Sequence, residues 1–203
     1  MDSTQPEFWD QRYRDDRLPW DTRGVPLALA DYLRSAPAAG RVLIPGCGSG
    51  YEVRAFHEAG WDILAIDFAP SAVARAKELL GELGTRVRPA DFFTDDIGIG
   101  YDVIYERTFL CSLPPSRWED YVRRTAKLLR PGGALTGIFF YGEDPEPPPF
   151  SLTPATARML LGGKFELTND QPIPPAQSLP LYVSGERWQV WRRRELSSAE
   201  TAQ

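Results

Sequence analysis

The stretch that decides the fold is RVLIPGCGSGYE, residues 41–52, where an apolar run ends in glycines at alternate positions, Gly46, Gly48 and Gly50. RVLIP (41–45) is short, apolar and β-branched, the pattern of a strand buried on both faces. YEVRAFHEAG (51–60) then has the composition of a helix stopped at Gly60. Strand, glycine turn and helix in that order make a nucleotide-binding corner. The first helical turn offers unpaired N–H groups and partial positive charge, and glycine lets a ligand approach the backbone with no Cβ in the way. On this basis Gly46 and Gly48 are assigned to ligand contact.

Outward from that corner, short apolar strands alternate with helices. Strands are expected over 61–67, 101–106 and 134–141, and a short strand with its exit over 86–93, with helices over 70–84 and 115–133, the last ending at Pro131-Gly132-Gly133. Upstream, 6–16 and 25–35 have helical patterns joined by a loop over 18–24. The alternation predicts an α/β fold, a doubly wound, mostly parallel sheet with helices on both faces. Downstream come two proline-rich loops (143–150 and 171–180), a short helix over 153–163 and a strand over 164–170. GERWQVWRRR (185–194) suggests an edge strand whose arginines form a solvated end. One domain is expected over 1–203: a helical lid to residue 36, a core over 41–141, and substrate-side loops and strands over 142–194.

Two further residues sharpen the corner. Asp67 ends the second strand, 21 residues after Gly46. A carboxylate there can accept hydrogen bonds from both ribose hydroxyls of a nucleoside, or simply cap the helix that follows. Asp91 and Phe92 leave the third strand, an acid for the exocyclic amine of adenine and a ring for its face. The glycine spacing is G-x-G-x-G, with Tyr51 where a dinucleotide fingerprint has its third glycine. That spacing disfavours NAD.

The composition excludes several classes. Against 28 acidic residues there are 23 Lys and Arg, a net charge of −5, which argues against non-specific nucleic-acid binding. No apolar run reaches the ~20 residues of a membrane span. The first residues lack a basic-then-apolar leader pattern. The two cysteines, Cys47 and Cys111, make neither a disulfide framework nor a four-ligand metal site. No metal, a cytoplasmic location and a monomer are expected. Cys47 is expected to be a packing residue, and His57 has no catalytic role.

VLIPGCGSGYE, taken with AIDFAPSAVARAK, DFF, YDVIYERTFLCSLPP and LLRPGGAL, resembles class I S-adenosylmethionine-dependent methyltransferases. Within that class, FWDQRY and LPWDTRGVPLAL in the lead-in make the chain similar to the thiopurine S-methyltransferase family, including its thiol and halide branch. The likeness runs from about Phe8 to Arg193. It implies a seven-stranded sheet with the last strand antiparallel and S-adenosyl-L-methionine as cofactor. It also implies cofactor contacts at Trp9, Trp20 and Gly46, with Asp67 on the ribose, Asp91 and Phe92 near the adenine, and Glu106 beyond the fourth strand. The activity implied is methyl transfer by in-line displacement to a small thiol, thiopurine, related chalcogen or halide.

A thiol of pKa ~8.5 is partly ionised near neutrality, so an enzyme of this kind needs no obvious general base. Arg107 is the residue assigned to hold an anionic acceptor, with Phe109, Tyr141, Trp20 and the proline loops completing its pocket. Two other classes compete: a cofactor-binding protein with no catalysis, and a nicotinamide oxidoreductase, the latter disfavoured by Tyr51.

Overall fold

The computed structural model describes residues 2–35, 39–142, 147–179 and 185–195. Parts of three expected segments fall outside these: 143–146 of the first proline-rich loop, residue 180 of the second, and the tail from 196. The strands are β1 (Arg41–Pro45), β2 (Asp62–Asp67), β3 (Val87–Pro89), β4 (Tyr101–Arg107), β5 (Leu129–Phe140), β6 (Phe165–Pro172) and β7 (Glu186–Arg193). The helices are α1 (Pro6–Arg14), α2 (Leu27–Ser35), α3 (Tyr51–Glu58), α4 (Pro70–Leu80), α5 (Trp118–Leu128) and α6 (Pro154–Leu161).

The seven strands form one sheet in the order β3-β2-β1-β4-β5-β7-β6. The pairings from β3 across to β5 are parallel, and β7 runs antiparallel to both its neighbours. Strand alternation sends Leu43, Ile66, Ile104 and Leu135 to one face, where they meet Trp118, Tyr121, Val122 and Leu161 of α5 and α6. Val42, Ile44, Ile63 and Val103 go to the other face, against Leu29, Val53, Phe56 and Val73 of α2, α3 and α4. Burying both faces is what makes the central strands continuously apolar.

Two expectations need correction. The helix expected to reach Gly133 stops at Leu128, and β5 starts at Leu129, paired with Tyr101. Pro131 disfavours a helical Arg130 and has no N–H to give, and the carbonyl of Leu128 is taken by Gly100 N–H instead. The edge strand on this side of the sheet is β6, not β7, which lies between β5 and β6. Trp188 and Trp191, three residues apart, belong to the cores on opposite faces, a pattern that a one-faced edge strand does not produce. The arginines at its end are exposed to half-buried, as expected of a solvated end, but each also donates to a carbonyl: Arg192 to Gly132, Arg193 to Leu129, Arg194 to Gly162 and Phe165.

Gly137 of β5 lies opposite Glu106 of β4, with φ 149°. A Cβ there would overlap the Glu106 carbonyl oxygen. Gly137→Ala should therefore cost about 3 kcal/mol of stability, measured as a lowered denaturant midpoint. Gly163→Ala, where the added Cβ meets open space, should change stability by less than about 0.5 kcal/mol. Equal midpoints for the two variants would contradict this packing.

Candidate active site

The chain leaves β1 through β2 and β3, then returns to the other side of β1 as β4. Open parallel sheets form their crevices outside the strand carboxyl ends at such a reversal. Here the glycine turn after β1 and the exit of β4 are its two lips. A cavity of about 880 Å³ opens between them, with Trp9, Trp20, Gly46, Asp67, Phe92 and Phe109 among its walls. A smaller pocket of about 60 Å³ lies beside it and shares Tyr13, Trp20, Gly46 and Thr108. The walls that only the smaller pocket has include Asp21, Glu52, Tyr105 and Arg107.

The glycine turn is shaped for close approach. Gly46 and Gly48 have φ of 59° and 53°, in the left-handed region that glycine tolerates best. A Cβ on Gly46 would sit 2.5 Å from the Phe109 ring, and one on Gly48 would sit 2.5 Å from the Tyr13 hydroxyl. The groups that approach this backbone in the structure are therefore the protein's own, from the β4 exit and from α1. The turn is tied to β2 by Asp67. One oxygen of its carboxylate accepts from Gly48 N–H (3.0 Å) and the other from Ala69 N–H (2.9 Å). Burial raises the Asp67 carboxyl to about 6 against the pull of these amides. Asp67 thus lines the cavity while holding the backbone that leads into α4, without capping that helix.

Asp91, Phe92 and Phe109 also line the large cavity. Asp91 accepts from Phe93 N–H (2.7 Å), and the Phe92 ring packs edge-on against Phe93 and Phe109 with centroids 5.3 Å away in each case. Trp9 and Trp20 meet at 5.4 Å in a T-shaped pair, and Trp9 Nε1–H donates to the Ser3 carbonyl. Cys47 is buried, its thiol raised by burial and by the charge of Asp67. His57 is exposed on α3.

Four assigned residues stand elsewhere, Gly48 among them, which lines the smaller pocket and not the large cavity. Arg107 is not on the large cavity's wall. It pairs with Glu52 at 3.1 Å and donates to Thr22 Oγ1 at 3.0 Å, facing the smaller pocket. Burial works against its charge, but Glu52 and Tyr105 hold the guanidinium above its ordinary value. Glu106 lies inside β4 and does not line the large cavity. Its Oε1 accepts from Phe109 and Leu110 N–H, and its Oε2 from the Tyr121 hydroxyl, so its position is set by gripping the loop that forms the cavity wall. Tyr141 also misses the large cavity, because its hydroxyl donates to Gln189 Oε1 on β7 at 2.9 Å.

Other wall residues went unassigned, among them Tyr13, Cys111 and Arg117. Tyr13 had a signal: it follows Trp9 by four residues on α1, hence on the same helical face. Cys111 carries none, since a tight turn after β4 brings it round.

The chain's relatives agree with this architecture. The family model described as thiopurine S-methyltransferase matches residues 4–194. Probable thiol methyltransferase 2 of Arabidopsis thaliana is 30% identical over 138 residues, 65% of this chain and 61% of that protein. Thiopurine S-methyltransferase of Legionella pneumophila is 25% identical, covering 93% of this chain and 97% of that one. This chain spans about three fifths of the length of the two Arabidopsis relatives it matches, 61% and 60%. Among solved structures, 1,6-didemethyltoxoflavin-N1-methyltransferase of Burkholderia thailandensis has a TM-score of 0.74 at 21% identity. That match covers 94% of this chain and 87% of the other, whose crystal holds 1,6-didemethyltoxoflavin and S-adenosylhomocysteine.

The buried Glu106 gives the site a pH signature. Burial raises its carboxyl from 4.5 to about 7 despite three donors. The folded state therefore holds a proton that the unfolded state releases. The stabilisation is full below about pH 4.5 and is lost as pH rises through about 7. Glu106→Gln keeps an acceptor for the two amides but cannot ionise. Relative to this variant, the wild type should lose about 3 kcal/mol of stability over that range. Parallel curves of unfolding free energy against pH would show that Glu106 does not titrate there.

Proposed function

Because the chain belongs to the thiopurine S-methyltransferase family, we propose that it transfers the methyl group of S-adenosyl-L-methionine to the sulfur of a small thiol. The observation that carries this reading is the pair of joined pockets with opposite chemistry. The large one is walled by aromatic rings and by the Asp67 and Asp91 carboxylates, which suits an adenosine with room left for an acceptor. The small one faces Arg107, Glu52 and Asp21, which suits an amino-acid zwitterion, its carboxylate on the guanidinium and its ammonium by the acids. The Tyr105 hydroxyl on that pocket's wall is buried and has no hydrogen-bond partner among the described residues, an orphan that a polar ligand group would satisfy. The donor set therefore fits the cofactor at both ends.

When bound, S-adenosyl-L-methionine supplies a methyl carbon activated by its sulfonium. The protein's part is position and exclusion of water. Asp67 is set to accept from ribose hydroxyls while keeping the glycine turn in place. Phe92 and Phe109 offer ring faces. Tyr13 and Trp20 line both pockets where these meet, and Trp9 packs edge-on against Trp20. No histidine lines the large cavity, and its carboxylates Asp67 and Asp91 are each engaged with backbone amides. The acceptor's proton therefore leaves to solvent before transfer. Held at the glycine turn and Asp67, the cofactor would supply its methyl carbon to the thiolate and leave as the neutral thioether. That requirement favours an acceptor that ionises by itself, which is the property of a thiol.

Asp67→Ala should weaken S-adenosylhomocysteine binding by about 2–3 kcal/mol, as expected for lost hydrogen bonds to a charged group. Calorimetry that finds no heat of binding in the wild type would refute the cofactor assignment.

Arg107 separates the two ends of the reaction. Arg107→Met should raise the KM for S-adenosyl-L-methionine by roughly tenfold or more, the loss of one charge-assisted hydrogen bond. The pH dependence of kcat/KM for a given thiol should stay where it is in wild type. A profile displaced to higher pH in the variant would return Arg107 to the acceptor.

A further inference from the structure

The segment carrying Trp9, Tyr13 and Trp20 is fastened to the rest of the molecule by side chains outside the large cavity. Asp10 Oδ1 accepts from the backbone N–H of Ser71 at 2.7 Å, in the first turn of α4. The N-terminal residue before that turn, Ala69, has no side-chain cap, so α1 supplies one from a distance. One turn further along α4 stands Arg75. Its Nη1 meets Asp16 Oδ1 at 2.8 Å, its Nε donates to Ser49 Oγ at 3.1 Å, and its Nη2 lies 3.9 Å from Asp21 Oδ2. Ser49 Oγ in turn donates to the same Asp21 oxygen at 2.6 Å. Ser71 and Arg75 are four residues apart, hence on one face of α4, and the strap over 10–21 lies along that face.

Arg75 therefore joins three separate pieces: the strap at Asp16 and Asp21, the glycine turn at Ser49, and α4. It lines neither pocket. Asp21 lines the smaller one, so the network ends on the wall assigned above to the amino-acid end of the cofactor. Asp16 has a positive φ of 50°, a conformation that aspartate tolerates better than most residues, and the turn there presents its carboxylate to Arg75. The side chain of Asp16 is 61% exposed and that of Arg75 is 28% exposed. A contact so open to water adds little to global stability and is screened by salt. It is strong enough, however, to bias a short segment between docked and undocked.

We propose that Arg75 is a positioning residue, an ionic latch that docks the 10–21 strap on the glycine turn and so sets the affinity for the cofactor. The inference rests on the proposed function only in naming that ligand. The latch itself is a property of the unliganded chain.

Two measurements test it. The first is hydrogen exchange without ligand, comparing wild type, Arg75→Met and Arg75→Lys. Arg75→Met should speed exchange across residues 6–24 about three- to tenfold while leaving β1 and β4 unchanged, and Arg75→Lys should restore part of the protection. The second is titration with S-adenosylhomocysteine, followed by tryptophan fluorescence, at about 0.05 M and about 0.5 M salt. Wild-type affinity should fall about three- to tenfold between the two, the range for one or two exposed ion pairs. Arg75→Met should bind about that much more weakly at low salt and show little further dependence on salt. If Arg75→Met does not fold, Asp16→Asn takes its place, since it removes the same charge pair from an exposed position.

Unchanged strap exchange in the variant, or affinities that fall equally with salt in wild type and variant, would overturn the latch. Absent binding in wild type, with faster strap exchange in Arg75→Met, would uphold the latch and remove the cofactor assignment.

Discussion

The carboxylate of Asp67 accepts one hydrogen bond from Gly48 and one from Ala69, and the carboxyl edge of the sheet is organised around that pair. Gly48 belongs to the turn after β1, and Ala69 to the step from β2 into α4. A buried acceptor with two donors fixes the relative height of both chain segments, because leaving either amide unpaired in the interior would cost about 1–3 kcal/mol. The glycine turn can then stay in its left-handed conformation without side chains to hold it. Everything that touches the turn, from Tyr13 on one side to Phe109 on the other, depends on that conformation.

A second carboxylate plays the corresponding part across the crevice. Glu106 in β4 gathers the amides of Phe109 and Leu110 and the Tyr121 hydroxyl, and thereby folds the β4 exit back over the sheet end. The two acids lie on β2 and β4, on either side of β1, at the reversal of strand order. Each uses backbone N–H groups that a loop would otherwise leave unpaired. The cavity between them keeps its shape because its lips are tied to strands. The strap that covers it is held by the part-buried Asp10 and Asp21 contacts, by the packing of Trp20 and by the exposed Asp16–Arg75 pair, so part of its attachment is open to water while that of the floor is not. That difference is the physical condition for a site that must admit a ligand and then exclude water.

The sequence made the sheet legible because its strands are short, apolar and separated by helices with clear ends. β1, β2 and β4 came within a residue of their observed limits for that reason. Pro-Gly-Gly reads as a helix stop, but its proline already forces extended backbone one residue earlier, and α5 ends at Leu128. β7 reads locally as an edge, because strand order is a tertiary property that local pattern does not encode. Among the site residues, Gly46, Asp67, Asp91, Phe92 and Phe109 reach the cavity because the turn and strand ends fix where they point. Arg107, Glu106 and Tyr141 do not, and each for the same reason: a partner distant in sequence, Glu52, Tyr121 or Gln189, turns the side chain away. The sequence places Arg107 at the end of β4 but does not encode that Glu52 and Thr22 meet it there.

The placement of Arg107 changes the chemical argument for the acceptor. A guanidinium in the large cavity could have lowered the pKa of a bound thiol, letting a weakly acidic acceptor react. With Arg107 committed to Glu52 and Thr22, that help is removed from the acceptor's side. The remaining cations on the cavity wall, Arg12, Arg17 and Arg117, have their own contacts: Arg12 over the Phe8 ring, Arg17 with Asp15, and Arg117 over the Phe93 ring. The acceptor must then bring its own acidity. An aliphatic thiol of pKa ~8.5 would react through its minor anionic fraction near neutrality, whereas a thiol attached to an electron-poor ring would be mostly ionised. The aromatic walls at Trp20 and Phe109, assigned to the acceptor's pocket, favour the same class by packing. Ring acidity and ring stacking are independent demands, and under the proposed reading an aromatic thiol meets both.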